Sequence, residues 1–290
     1  MAFLFRLLSH FPLPLLHNLG ALAGWLTYLA SPTYRRHLRE NTSLAGDWAV
    51  AARFAAIAEA GKALFELPYI WLRPQDQVVS QVARVSGWEH VEAAWQAERG
   101  ILFLTPHLGC FEITAQYYAS FKPLTALYRA PKQAWLRPLM EEGRGGNVKL
   151  AAADLSGVRT LMKALRRKEA IGILPDQVPG SGEGIWAPFF GKPAYTMTLA
   201  ARLAEAGATV LLIYAERLPY GAGYHVHTHP PAEPLSGTLE ERVAQINRIV
   251  ETLIEEYPSQ YLWGYNRYKG LADTPPQQAE TTINNTPPIE

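Results

Sequence analysis

The chain has 290 residues, 48% of them hydrophobic, and sets 27 Lys and Arg against 26 Asp and Glu. That length supports one catalytic-sized domain with a large core, and the near-neutral balance excludes a surface built throughout for nucleic acid. A lone cysteine, Cys110, makes no intrachain disulfide, so nothing asks for an oxidising compartment.

The amino end, MAFLFRLLSHFPLPLLHNLGALAGWLTYLAS, carries no formal charge from Phe11 to Ala30, approaching the roughly 20 residues that cross a bilayer core. His17, Asn18, Pro12 and Pro14 weaken a spanning reading, and no clear small-residue site marks a cleaved signal peptide. Arg35, Arg36 and Arg39 follow where positive charge would hold the next domain in the cytoplasm, and Trp25, Tyr28 and Tyr34 suit a headgroup interface. Residues 1–34 are expected to anchor to a membrane or insert at its interface, with a buried helix of a soluble protein as the competing reading.

Residues 48–72 are alanine-rich and amphipathic, and VEAAWQAERG, from Val91, continues as helix. ILFL, Ile101 to Leu104, reads as a buried strand broken by Thr105-Pro106. The spacing of Phe111, Ile113, Thr114, Tyr117, Tyr118 and Phe121 then predicts a helix. Strands are expected at Leu124–Tyr128, Ala170–Leu174 and Thr209–Ala215, and helices near Ala134–Glu142, Ser156–Glu169, Tyr195–Ala206 and Leu239–Tyr257. This alternation predicts an α/β fold, a central mostly parallel sheet flanked by helices, over residues 35–270. The last segment, 271–290, is poor in apolar residues and is expected to be disordered.

Ligands of open α/β sheets collect beyond the carboxyl ends of the strands. His107 falls there, and Glu112 follows in a first helical turn. On one ideal helix a separation of five would turn them about 140° apart, but a loop histidine and a helix glutamate can be brought together. A histidine beside a carboxylate can serve as general base for a substrate hydroxyl, with backbone amides around Gly109 and the helix start as oxyanion donors. The spacing alone also arises by chance.

Asp176-Gln177 after AIGILP and Arg129 in LYRAP occupy similar strand ends, although Asp176 also reads as a turn cap. Cys110 is read as a small buried side chain rather than a nucleophile. His225, His227 and His229 alternate on one strand face, compatible with a metal site, but no companion ligand is evident in the sequence and an exposed edge strand is the preferred reading. SGVRTLMKALRRKEA gathers Arg159, Lys163, Arg166 and Arg167 away from an apolar stripe, a solvated face or a surface for an acidic partner. Arg267 and Lys269 in YNRYK offer a second basic patch for headgroups or phosphates.

PHLGCFE resembles the H-x4-E motif of the lipid A late acyltransferases, the lauroyl/myristoyl transferase family of Gram-negative bacteria, and more distantly the H-x4-D of glycerolipid acyltransferases. LYRAP, the Gly143-Arg144 region, ILPDQVPG, APFFGKPAYT and YPSQYLWGYNRYK resemble further blocks of the family in the same order. With RRHLREN and the hydrophobic amino end, they reach to about Gly270. The resemblance implies a glycerolipid-acyltransferase-like fold, with His107 as base, Glu112 as its partner, and Arg129, Arg144, Asp176 and Gln177 around the substrate. It implies transfer of an acyl group from an acyl carrier protein thioester to a hydroxyl of a lipid A precursor, a glycolipid, on the cytoplasmic face of the inner membrane. Neither a metal nor a redox cofactor is implied. One departure, PDQVPGSGEG, leaves another glycolipid or an aminolipid open as acceptor. A thioesterase and a lipid-binding protein without turnover are competing functions.

Overall fold

In the computed structural model, which describes residues 1–143 and 148–270, six helices precede the first strand. They are α1 (Ala2–Leu8), α2 (Leu13–Ala30), α3 (Pro32–Ala45), α4 (Asp47–Phe65), α5 (Leu67–Leu72) and α6 (Gln75–Val79). Ser31 starts α3 by accepting from the Tyr34 amide, with Pro32 in the first turn where its missing N–H costs nothing. Pro68, in the first turn of α5, splits the apolar run at 48–72 into two helices.

The sheet elements follow: β1 (Val82–Ser86), α7 (Trp88–Ala97), β2 (Ile101–Leu104), α8 (Phe111–Ala119), β3 (Leu124–Tyr128), α9 (Leu136–Gly143), β4 (Val148–Ala152), α10 (Leu155–Arg166) and β5 (Ala170–Ile173). A hairpin of β6 (Gly184–Phe189) and β7 (Lys192–Met197) comes next, then α11 (Leu199–Ala204), β8 (Thr209–Arg217), β9 (Tyr224–His229) and α12 (Leu239–Glu256). The main sheet runs β1-β9-β8-β2-β5-β3-β4. From β8 to β4 every pairing is parallel, while β9 lies antiparallel to β8 and β1 parallel to β9. The mostly parallel α/β sheet expected from the alternation is therefore present.

All four residues of β2 are buried, as they must be in a strand covered on both faces. The period of two divides the core: Leu102, Leu104, Ile171, Ile173 and Leu212 pack on one face, and Ile101, Phe103, Ala170, Leu211 and Ile213 on the other. Tyr195–Ala206 is not one helix. Its first three residues complete β7, where Arg267 donates to the Tyr195 carbonyl at 2.8 Å, and the helix begins at Leu199. Nor is β9 an edge strand, since β1 covers its outer side. Residues 271–290, expected to be disordered, lie outside the described residues.

No helix among the described residues is long and apolar enough to cross a membrane. Instead α2 lies against α4 through glycines: a Cβ on Gly61 would fall on the Gly20 carbonyl oxygen, and one on Gly24 would fall on that of Ile57. Arg35 closes the end of α2 by donating to the Tyr28 and Leu29 carbonyls. The boundary expected at 34/35 falls inside α3, whose Asn41 amide donates to the Trp263 and Tyr265 carbonyls at 2.7 and 2.8 Å.

A buried ionic cluster ties these helices to the sheet. Arg217, at the end of β8, donates to both oxygens of Glu66 at 2.8 and 2.5 Å and to Glu59 at 2.6 Å. Tyr224 donates to Glu66 at 2.9 Å, and His17 of α2 stands 3.1 Å from the same carboxylate. Burial alone would raise the Glu66 carboxyl, but the Arg217 charge and hydrogen bonds, with those of His17, hold it down at about 2. Arg217→Met should therefore lower unfolding free energy by about 3–5 kcal/mol, since it leaves a carboxylate unpaired in the interior.

Because folding depresses this pKa, its stabilisation is complete above the ordinary value of 4.5 and is lost as pH falls toward about 2. Denaturant titrations across that window should show wild type losing stability more steeply than Glu66→Gln. Parallel pH profiles would rule this contribution out.

Candidate functional site

His107 and Asp176 stand equally far past two paired strands. In the parallel register of β2 and β5, Leu104 lies opposite Ile173, and each of the two residues comes three positions later. The result is a double clasp: the His107 amide donates to Asp176 Oδ2 at 2.9 Å, and Nδ1 meets Oδ1 at 2.8 Å. The carboxylate that holds the imidazole is thus Asp176, where the sequence had suggested Glu112, and Asp176 does more than cap a turn.

The loop around His107 is fixed by its backbone. Thr105 N–H donates to the Ile173 carbonyl at 3.0 Å, Gly109 N–H to that of Gln260 at 3.0 Å, and Cys110 N–H to that of Ala215 at 2.9 Å. Leu262 N–H donates to the His107 carbonyl at 3.2 Å. Gly109 takes φ +57°, and a Cβ there would strike the Ala215 carbonyl oxygen, so this position needs glycine. These bonds correct one expectation: the Gly109 and Cys110 amides are committed to the fold and do not point at an oxyanion.

Electrostatics keep the clasping carboxyl ionised. Burial would push the Asp176 carboxyl up, but the His107 charge and hydrogen bonds outweigh it and keep it below the ordinary range. The Tyr261 phenol is driven well up by burial and by the Asp176 charge, so it stays protonated beside the carboxylate. Asp176 occupies Nδ1, so any further partner of the ring meets Nε2.

Glu112 is buried in the first turn of α8 and accepts from the Trp71 indole at 3.1 Å. It borders a small, mostly apolar cleft between α8 and the sheet, lined in part by Phe103, Phe111, Ala115, Tyr118 and Leu127. Phe111 joins the cleft to His107, its ring centroid 4.7 Å from that of the imidazole. Gln177 is half-buried beside Asp176. Arg129 is exposed and pairs with Glu183 at 3.4 Å. Arg144 lies outside the described residues.

The structure revises several sequence readings nearby. Arg267 is buried, donating to the Tyr195 carbonyl and to Thr196 Oγ1 at 2.7 Å, so it is not a headgroup patch, whereas Lys269 is exposed. The helix α10 runs back from the end of β4 to the start of β5, which leaves exposed Arg166 and Arg167 near the amino ends of the parallel strands, the end opposite His107. Trp71, Gln260 and Tyr261 were not singled out in the sequence. The block YPSQYLWGYNRYK, which contains Gln260 and Tyr261, was the signal that this stretch packs against the site.

Comparison with known proteins matches residues 1–270 to the family of bacterial lipid A biosynthesis acyltransferases. The lipid A biosynthesis lauroyltransferase of Escherichia coli strain K12 is 29% identical over 212 residues, 72% of this chain and 69% of its own. The lipid A biosynthesis palmitoleoyltransferase of that strain is 28% identical over 213 residues, covering 72% and 68%. A lipid A biosynthesis acyltransferase of Haemophilus influenzae is 26% identical over 273 residues, covering 90% and 86%.

Cys110 is only 2% exposed, and burial, reinforced by the Glu66 charge, pushes its thiol well above the ordinary value. A thiol so protected is a poor nucleophile. A disulfide reagent should find no reactive thiol in the native protein and one per chain after denaturation. Rapid labelling of the folded protein would contradict this placement.

Proposed function

The chain belongs to the bacterial lipid A biosynthesis acyltransferase family, and from that premise we propose a specific reaction for this acyltransferase. It moves a fatty acyl group from an acyl carrier protein thioester to a hydroxyl of a lipid A precursor. The observation that carries the proposal is the Asp176 clasp on His107 beside an apolar cleft.

An alcohol is too weak an acid to ionise at neutral pH, so its attack requires proton removal in the transition state. Nε2 of His107 takes the hydroxyl proton as the oxygen bonds to the thioester carbonyl carbon. The C–S bond then breaks, and the departing thiolate receives that proton from the imidazolium. Asp176 keeps the ring in the productive tautomer and supports its transient positive charge. Glu112, fixed by Trp71 at the cleft wall, serves as the second carboxylate and positions the acceptor. Arg129, Gln177 and Arg144 are proposed to contact substrate.

The acceptor arrives from a bilayer. Leu15, Leu19, Leu22, Leu26 and Leu29 of α2 are exposed, and Phe3, Leu4 and Leu7 of α1 and Phe54 of α4 extend the apolar surface. This large outward face of packed helices suits insertion into the interface of the inner membrane from its cytoplasmic side. It adjoins the site, since Phe5 lies 5.7 Å from the Trp71 ring that holds Glu112.

The reaction is tested with a purified acyl carrier protein thioester and lipid A precursor. His107→Ala should abolish transfer, and Asp176→Asn should lower kcat by about 10³–10⁴-fold by favouring the wrong tautomer. Glu112→Gln should raise KM for the acceptor more than Asp176→Asn does. Near-normal turnover by His107→Ala would refute the base assignment.

Gly172 lies on β5 in the cleft wall, and a Cβ there would meet only Leu124 Cδ1, at 3.9 Å. If the cleft receives the acyl chain, Gly172→Val should shift preference toward shorter donors by about 10-fold or more, because each excluded methylene removes packing. An unchanged donor profile would place the chain elsewhere. Leu22→Asp with Leu26→Asp should weaken flotation with anionic phospholipid vesicles while leaving the fold intact. Undiminished flotation would remove this face as the membrane contact.

A further inference from the structure

Two of the three histidines of YHVHTH, which the sequence left without a companion, acquire one from the neighbouring strand. In the antiparallel register of β8 and β9, Glu216 stands opposite His225, and Tyr214 stands opposite His227. Alternation puts Glu216, Tyr214, His225 and His227 on the same sheet face. The His225 and His227 ring centroids are 3.8 Å apart, a close approach for two side chains that repel when both are protonated.

Their nitrogens converge on one oxygen. His225 Nδ1 lies 3.6 Å from Glu216 Oε2, and His227 Nε2 lies 3.5 Å from the same atom. Both separations exceed an ordinary hydrogen bond, so the three groups surround a point without closing on each other. Ligand atoms at about 2.0–2.1 Å from a tetrahedral zinc ion stand about 3.4 Å from one another. One ligand atom from each residue lies within 4.8 Å of the others, all three side chains being half-buried.

The surroundings match what an imidazole ligand needs. Ser86 Oγ is 2.7 Å from His225 Nε2, so the outer nitrogen can donate there while Nδ1 faces the gap. The ring of Tyr214 stacks on His227 at 4.8 Å and 7°, fixing its plane. The Tyr257 hydroxyl, just past α12, stands 3.4 Å from the same His227 Nε2. His229 belongs elsewhere, its Nδ1 bonded to the Pro230 carbonyl at 2.9 Å.

We propose that Glu216, His225 and His227 form a binding site for a divalent cation of zinc type, with three protein ligands and one position for water. Two imidazoles and a carboxylate are a donor set that favours zinc over magnesium or calcium, which prefer oxygen alone. No step of acyl transfer uses this ion. Its place is structural: it fastens β8 to β9 one residue before Arg217, whose amide and carbonyl are held by the Gln260 side chain that leads to the His107 loop.

The full chain, stripped with a chelator, is titrated with Zn²⁺ by calorimetry and with Co²⁺ by visible absorption. One ion should bind per chain, cobalt should develop the intense bands of a tetrahedral site, and thermal unfolding should move upward with zinc. His225→Ala, His227→Ala and the isosteric Glu216→Gln should each weaken binding by about tenfold or more and lose the shift, while His229→Ala keeps both. Circular dichroism establishes that each variant is folded, and Glu216→Gln decides the matter should a histidine variant not be. Failure of the wild-type chain to take up a stoichiometric ion, or uptake equally strong in Glu216→Gln, would overturn the site. Neither result bears on the His107 reaction, which is read from turnover alone.

Discussion

A guanidinium shut away from water must be met by carboxylates, and Arg217 meets two. Glu66 comes from the end of α4 and Glu59 from its interior, so the pair can form only if the amino-terminal helices sit against the open end of β8. The same residue organises the site through its backbone. Its amide donates to Gln260 Oε1 at 2.7 Å and its carbonyl accepts from Gln260 Nε2 at 3.0 Å. The Gln260 carbonyl in turn takes Gly109 N–H, and two residues earlier His107 accepts from Leu262. Removing one partner of such a cluster costs more than an ordinary contact, because the other charge remains buried. The helices that present an apolar surface are therefore part of the structure that holds His107, and Glu66 would lose His17 as a partner if they were removed.

This coupling makes sense of a histidine in a loop. Loop side chains are mobile unless tied, and catalytic geometry tolerates little error. Here four backbone bonds and an Asp clasp hold one short segment between two parallel strands and the stretch after α12. Pairing in a low-dielectric interior strengthens each of these bonds while making any unpaired group costly. Cys110 shows the other solution: a neutral thiol on the same loop, buried without charge.

The buried parallel strands were legible because continuous apolar runs have few alternative fates: Ile101–Leu104 and Leu124–Tyr128 are observed where they were read. Tyr195–Met197 was not, since an antiparallel hairpin partner can claim residues that a local pattern assigns to a helix. His107 was legible from its place past a strand, whereas its partner was not. Glu112 is near in sequence, but Asp176 is near in space, and that follows only from knowing that β2 pairs with β5. The same limit applied to Glu216, nine residues from His225 in the chain and directly opposite it in the sheet. Sequence periodicity shows which face a residue occupies; pairing decides what it meets.

In the proposed reaction, the site draws its reactants from two phases. On one side α1 brings Phe5 onto Trp71, and Trp71 holds Glu112, so the apolar surface of the amino-terminal helices continues toward the cleft. The His107 side chain keeps 14% of its surface exposed while Asp176 keeps 2%. An imidazole acting as the proposed base must reach a substrate and lose its proton again, so some access is required of it. Its carboxylate has no such need, and exclusion from water strengthens its hold on Nδ1. In the proposed reaction, sealing the anion while leaving part of the imidazole exposed lets the His107 loop serve a lipid hydroxyl and a thioester without letting solvent compete for the clasp.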